Sequence, residues 1–313
     1  MEVIQVYDRP ASQAFYSVAG RLLFTECDNP ELRKLIVDLF TRWQLTPVSF
    51  PGRSPDIQIN FSCGDVSSRF LHDLDQFEIA EGGKCYPDAS GLYLELRGAV
   101  VQLINGSLVT VNVSFTELPR LGDAALGRAA SFAVCAALRR YGLFDMHSAG
   151  VVRDGKGVLI IGPSGSGKST LTLQLVTSGW SYLSDDELLL SLDEGVVEAR
   201  GFRSFFAVSE AGAGLKHCFE PEIVFGSKRA AYAFPRTLVF TQLNGESRSE
   251  LKILTQAETM KRLIRACPWA TYDKSIAGAN LNLLSALARQ ARGFNLSAGR
   301  DLLEPGFAAS VIS

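Results

Sequence analysis

Apolar residues recur every three or four positions from Leu32 through Leu35, Ile36, Leu39 and Phe40 to Trp43. That spacing predicts a helix with one buried face. Asn29 can cap it, and Pro30 suits its first position, where a backbone N–H has no partner to lose. Ahead of it, the alternation from Ala14 to Glu26 predicts a pair of strands. Behind it, the loop Pro51–Pro55 leads to strand candidates at Asp56–Ser62, Leu92–Arg97, Ala99–Ile104 and Leu108–Ser114. Asn105-Gly106 separates the last two and signals a hairpin, because both residues tolerate positive φ.

Small apolar residues fill the stretch from Pro119 to Tyr141, which predicts a long, tightly buried helix stopped at Gly142. From residue 143 the pattern becomes strand, loop, strand, glycine loop, helix, strand. Such alternation predicts a largely parallel sheet covered by helices. Phe234–Phe240 reads as another core strand. Thr255 or Gln256 can start a helix to about Ala266, and Ser275–Arg292 reads as another. The chain thus divides into a smaller α+β accessory domain over residues 1–118 and an α/β domain over residues 119–313.

Chemistry concentrates in the second domain. Gly162, Pro163, Ser164, Gly165, Ser166, Gly167, Lys168 and Ser169 fit G-x-x-x-x-G-K-[ST], the phosphate-binding loop. The apolar run Gly157–Ile161 before it and the helix from Thr170 to Val176 after it supply the strand–loop–helix context. Glycines let the backbone close around phosphate oxygens, and the amides of the new helix point at the anion. These eight residues and Thr170 are expected to hold ATP, with Lys168 on the terminal phosphates and Ser169 on Mg2+.

Shortly after that helix, Leu183-Ser184-Asp185-Asp186 ends an apolar strand in two acids. One can hold the metal and the other can take a proton from an attacking hydroxyl. His147, in the strand-like segment Phe144–Val152, precedes a turn at Arg153–Gly157 that returns the chain toward the glycine loop. It can contact the transferring group or orient an acid. Neither the guanine-reading N-K-x-D nor the transporter signature L-S-G-G-Q occurs, which disfavours GTPases and transporter ATPases.

From His147 to Asp186 the order of histidine, strand, turn, glycine loop, helix and Asp-Asp pair resembles the kinase domain of HPr kinase/phosphorylase and its relatives. The resemblance implies a P-loop kinase domain with the mixed or parallel sheet of that family. It makes His147, Asp185 and Lys168 the catalytic group, and Ser169 and Asp186 the metal side. Thr170 stands where family members have Glu, and Val197-Glu198-Ala199-Arg200-Gly201 loosely echoes their Leu-Glu-Ile-Arg-Gly. The chain therefore looks more like divergent relatives that phosphorylate a serine on a peptide precursor.

Bulk properties narrow the partners. The 313 residues carry a formal net charge of −2 and a pI near 6.0, which gives no footprint for nucleic acid or an anionic membrane. The six cysteines form no C-x-x-C pair, and His217-Cys218 has no partner at zinc-site spacing. Scattered thiols suit a reducing compartment. Met1–Pro10 lacks a signal-peptide pattern, and the apolar run Ala130–Leu138 is too short to span a bilayer. The expectation is a cytoplasmic, ATP- and Mg2+-dependent kinase acting on a serine of a peptide or small protein, capable of forming a homo-oligomer as its relatives do. Two other readings stay open: a small-metabolite kinase, and a nucleotide-dependent binding protein without catalysis.

Overall fold

A computed structural model of the chain describes residues 11–49, 51–64, 76–79, 83–88, 90–120, 123–209, 216–221, 223, 226, 229–304 and 306–312. The chain forms two units: residues 1–41 with 45–140, and residues 42–44 with 141–313. Among the described residues, no helix is long and apolar enough to cross a membrane.

In the first unit, β1 (Gln13–Val18) and β2 (Arg21–Cys27) form the expected antiparallel pair. Helix α1 (Pro30–Phe40) follows, and the Asn29 side chain accepts from the amides of Glu31 and Leu32. It buries Leu32, Ile36 and Phe40, each stabilising the fold by about 1.5–3 kcal/mol. The helix ends at Phe40, before Trp43, because residues 42–44 leave to join the second unit. Next come β3 (Thr46–Pro47), β4 (Ile57–Cys63), β5 (Phe77–Ile79), β6 (Gly83–Asp88) and β7 (Gly91–Leu96). β8 (Ala99–Ile104) and β9 (Val109–Phe115) form the expected hairpin, but the connection runs over residues 105–108 and neither Asn105 nor Gly106 takes a positive φ. All nine strands make one sheet, ordered β3-β1-β2-β4-β9-β8-β7-β6-β5. β2 and β4 pair parallel, as do β4 and β9.

Helix α2 (Ala124–Arg139) starts later than Pro119 because the Asp123 carboxylate caps Ala125 N. Its alanines let it lie close on β8 and β9. From sequence, the domain break falls at 118/119; the packing of α2 on the first sheet moves it to 140/141.

The second unit begins with β10 (Phe144–Met146), β11 (Ser148–Arg153) and β12 (Lys156–Ile161). Asp154 and Gly155, both at positive φ, make the tight turn between the last two. After α3 (Lys168–Thr177) come β13 (Ser181–Ser184), β14 (Leu188–Asp193), β15 (Val196–Gly201), β16 (Phe206–Ser209) and β17 (Lys216–Phe219). Then follow β18 (Tyr232–Leu243), β19 (Glu250–Ile253), α4 (Gln256–Ala266), α5 (Trp269–Tyr272), α6 (Lys274–Gln290), β20 (Arg292–Ala298) and α7 (Phe307–Ile312). The main sheet runs β10-β14-β15-β18-β12-β11-β13, with β20 added on β18.

This sheet is not largely parallel. Among the strand pairs of the described residues, β12/β18 and β18/β20 are parallel and the others antiparallel. The reason is local: β11/β12 and β14/β15 are joined by tight turns, which enforce antiparallel neighbours. Side chains alternate across the sheet. Leu159, Ile161, Leu238 and Phe240 face a core shared with Leu263, Leu283 and Leu287 of α4 and α6. Val158, Ile160 and Val239 face the other core, with Leu171 and Leu175 of α3.

Candidate active site

The loop from Gly162 to Gly167 joins the end of β12 to the start of α3. Three contacts shape it. The Ser166 amide donates to Pro163 O (3.2 Å). The Thr241 hydroxyl, from the neighbouring β18, donates to Ser166 O (3.0 Å). Gly162 lies so close to β18 that a Cβ would sit 2.5 Å from Thr241 O. Gly165 and Gly167 adopt φ of +77° and +90°, conformations that L side chains rarely take.

The loop's electrical character is that of an anion holder. Gly167 caps α3 with no side-chain hydrogen bond, and the first turn holds no acid. The N-cap residue thus brings no side chain to compete with an anion for the first-turn amides. Lys168 occupies the first helical position, where the helix dipole disfavours a cation and favours an anion beside it. The Ser166 hydroxyl is buried without a hydrogen-bond partner among the described residues. These features fit a phosphate chain.

The buried Lys168 ammonium donates to Gly162 O (2.8 Å) and Pro163 O (3.1 Å). It also lies 3.0 Å from His147 Nε2. An ammonium only donates, so Nε2 accepts and the imidazole hydrogen sits on Nδ1. There it donates to Asp186 Oδ1, 3.2 Å away. Burial holds the His147 pKa below the usual histidine range; Asp186 pulls it up, and Lys168 and Arg203 push it further down. The residue owes its position to a change of strand neighbours. β10 before it pairs with β14, whereas β11 after it pairs with β12 and β13.

Asp185 and Asp186 have different surroundings. Asp185 is 3% exposed and accepts from the Ser169 hydroxyl (3.3 Å). Asp186 has a side chain 53% exposed and a backbone φ of +71°, which aspartate tolerates better than most residues. Just before them, the Ser184 hydroxyl donates to Glu187 O (2.7 Å) and accepts from Arg203 N (3.0 Å). The turn carrying the acids is thus tied to the segment after β15. Ser169 Oγ and the Asp185 carboxylate are hard oxygen donors of the kind Mg2+ takes.

The family resemblance groups His147 with Asp185 and Ser169 with Asp186, while the residues alone leave the roles of the two acids open. In the structure the pairs are Ser169 with Asp185 and His147 with Asp186. Ser164, Gly165, Gly167, Lys168, Ser169 and Thr170 line a cavity of about 530 Å³, and Asp186 joins them. Gly162, Pro163 and Ser166 shape the loop from behind through the contacts above.

Several contributors have no sequence signature. Leu243 and Leu303, 59% and 72% exposed, give the cavity apolar walls. They come from segments far apart in the chain. Arg203 pairs with Glu187 (2.7 Å) and lies over the Trp43 ring, 5.1 Å from its centroid. Trp43 and Arg203 are bridged as isolated β partners, a register that periodicity cannot reveal. Glu198 and Arg200 pair with each other at 2.5 Å on β15 and do not line the cavity. Of the three cations that precede or begin the Phe234–Phe240 strand, Lys228, Arg229 and Arg236, the first lies outside the described residues.

The family described as SynChlorMet cassette protein ScmC matches residues 127–212. That span, less than half of the chain, contains His147, the glycine loop and both aspartates. No curated protein matches the chain. Among solved structures, the Hpr(Ser) kinase/phosphatase from Coxiella burnetii aligns with 20% identity and a TM-score of 0.28, covering 35% of this chain and 77% of that one.

Proposed function

We propose that this chain is an ATP- and Mg2+-dependent phosphotransferase that moves the γ-phosphoryl group onto a hydroxyl, a serine of a peptide or small protein. One observation carries the reading. Lys168, His147 and Asp186 form a hydrogen-bonded chain at the mouth of a glycine loop whose helix has a glycine N-cap with no capping side chain, and the Ser169–Asp185 pair lies beside them. The serine acceptor rests on the resemblance that His147–Asp186 bears to kinases of that type.

Each residue then has a task. Lys168 exchanges its contacts with Gly162 O and Pro163 O for phosphate oxygens and neutralises charge that grows during transfer. Ser169 and Asp185 hold Mg2+, which supplies further charge neutralisation when bound. The exposed Asp186 carboxylate accepts the proton of the attacking hydroxyl. His147, neutral at physiological pH, keeps that carboxylate aligned through Nδ1–H. The duties of the two acids are thereby exchanged relative to the family-based expectation. Catalysis consists of alignment and electrostatics, with no covalent intermediate on the protein.

The pair of substitutions Asp185→Asn and Asp186→Asn tests this division. Asp186→Asn should keep Mg-ATP affinity within a few-fold while turnover falls by about 10²–10⁴. Asp185→Asn should weaken Mg-dependent ATP binding itself. The reverse pattern would return the base to Asp185. Wild-type protein that binds ATP and phosphorylates no hydroxyl would be a nucleotide holder.

A further inference from the structure

A second cavity, of about 670 Å³, lies at the opposite end of β12 from the glycine loop. Arg153, Lys156, Arg236 and Arg292 line it, with Asp154 as the one acid lining it among the described residues, so the lining carries a formal +3 (four cations less one anion). Like charges gathered without counterions repel one another, yet none of these four cations has an ion pair or hydrogen bond among the described residues. The fold itself gathers them. Arg153 and Lys156 are paired across the turn that starts β12. Arg292 opens β20 opposite Thr237, the residue after Arg236.

Trp180 is an independent sign. It lines the same cavity, is only 6% exposed, and its indole N–H is buried with no partner among the described residues. A buried donor left unpaired costs about 1–3 kcal/mol. The Arg153 guanidinium lies 5.8 Å from its ring centroid. Arginine, lysine and indole N–H groups only donate. Val158, Val239 and Phe294 add apolar lining. The volume is that of a small-molecule site.

We infer that this cavity binds a small organic anion, a phosphate ester or carboxylate with an apolar or aromatic body. Its negative end meets the arginines, and its body lies among Val158, Phe294 and Trp180. The site is separate from the phosphate loop and does not depend on the phosphotransfer chemistry.

The test uses the full ¹⁵N-labelled chain and phenyl phosphate as probe. The Trp180 indole N–H resonance is followed by NMR and assigned with Trp180→Phe. The resonance should shift saturably with phenyl phosphate and stay still with phenol. It should shift equally in a Lys168→Met background, where the glycine loop is disabled. Affinity should fall at least tenfold in Arg236→Gln/Arg292→Gln and stay within a few-fold of wild type in Arg236→Lys/Arg292→Lys. Both arginines are exposed, so these variants keep the fold. No shift, an equal response to phenol, loss of the response in Lys168→Met, or indifference to the double glutamine variant would each overturn the assignment.

Discussion

Replacing Gly162 by alanine probes how tightly the glycine loop is pressed on β18. The new methyl would lie 2.5 Å from Thr241 O, 2.5 Å from Ser166 Oγ and 3.2 Å from Ser166 Cβ. The first contact is about 1 Å inside ordinary van der Waals separation. Thr241 O belongs to a strand in register with β12 and β20, so it cannot retreat alone, whereas the Ser166 side chain can rotate. Overpacking of this kind costs about 1–3 kcal/mol. Gly165→Ala is the control: its Cβ meets nothing within 4 Å, but φ is +77°, which costs an L residue about 1–2 kcal/mol. Trp43, Trp180 and Trp269 all belong to the second unit, so urea denaturation followed by tryptophan fluorescence reads that unit alone. Both variants should unfold at lower urea. Gly162→Ala should also lose at least tenfold in Mg-ATP affinity, because its relief moves the loop off Thr241. A Gly162→Ala protein with unchanged midpoint and unchanged affinity would refute the close approach.

Other perturbations have defined outcomes in the same assay. Trp43 is 2% exposed and stacked with Phe202 and Arg203; Trp43→Ala should destabilise the second unit by about 3–5 kcal/mol, read by the two remaining tryptophans. Thr241→Val removes the donor to the buried Ser166 O and should cost about 1–3 kcal/mol. Because the folded-state pKa of His147 is lowered, the unfolded chain takes up the proton first as pH falls below the ordinary histidine value of about 6.5. Stability should therefore decline on acidification through that range, and urea midpoints of His147→Gln should decline less.

Local signals carried furthest from sequence to structure. The Asn29-Pro30 start of α1 and the Thr255 start of α4, which the structure closes with Glu258, act within one helical turn, so the residues that decide them are neighbours in sequence. The strand–glycine loop–helix unit is equally local. What stayed hidden depends on distant segments. β20, with sequence RGFNLSA, has weak apolar alternation, and its start at Arg292 reads as the end of the preceding helix. It is a strand because β18 and β19 flank it. Trp43 reads as the last turn of α1, yet its partner is Arg203. Ser169 pairs with Asp185, while Asp186 sits on a left-handed backbone beside it; no spacing rule encodes which of two adjacent acids faces the hydroxyl.

The phosphotransfer account is tested most directly by incubating the chain with Mg-ATP and serine-containing peptides and reading acceptor masses. It predicts the gain of one phosphoryl group on serine, abolished by Lys168→Met. Peptides that stay unmodified while small hydroxyl compounds gain phosphate would move the acceptor to a metabolite. No phosphorylated hydroxyl of either kind, from protein that demonstrably binds ATP, would contradict the account.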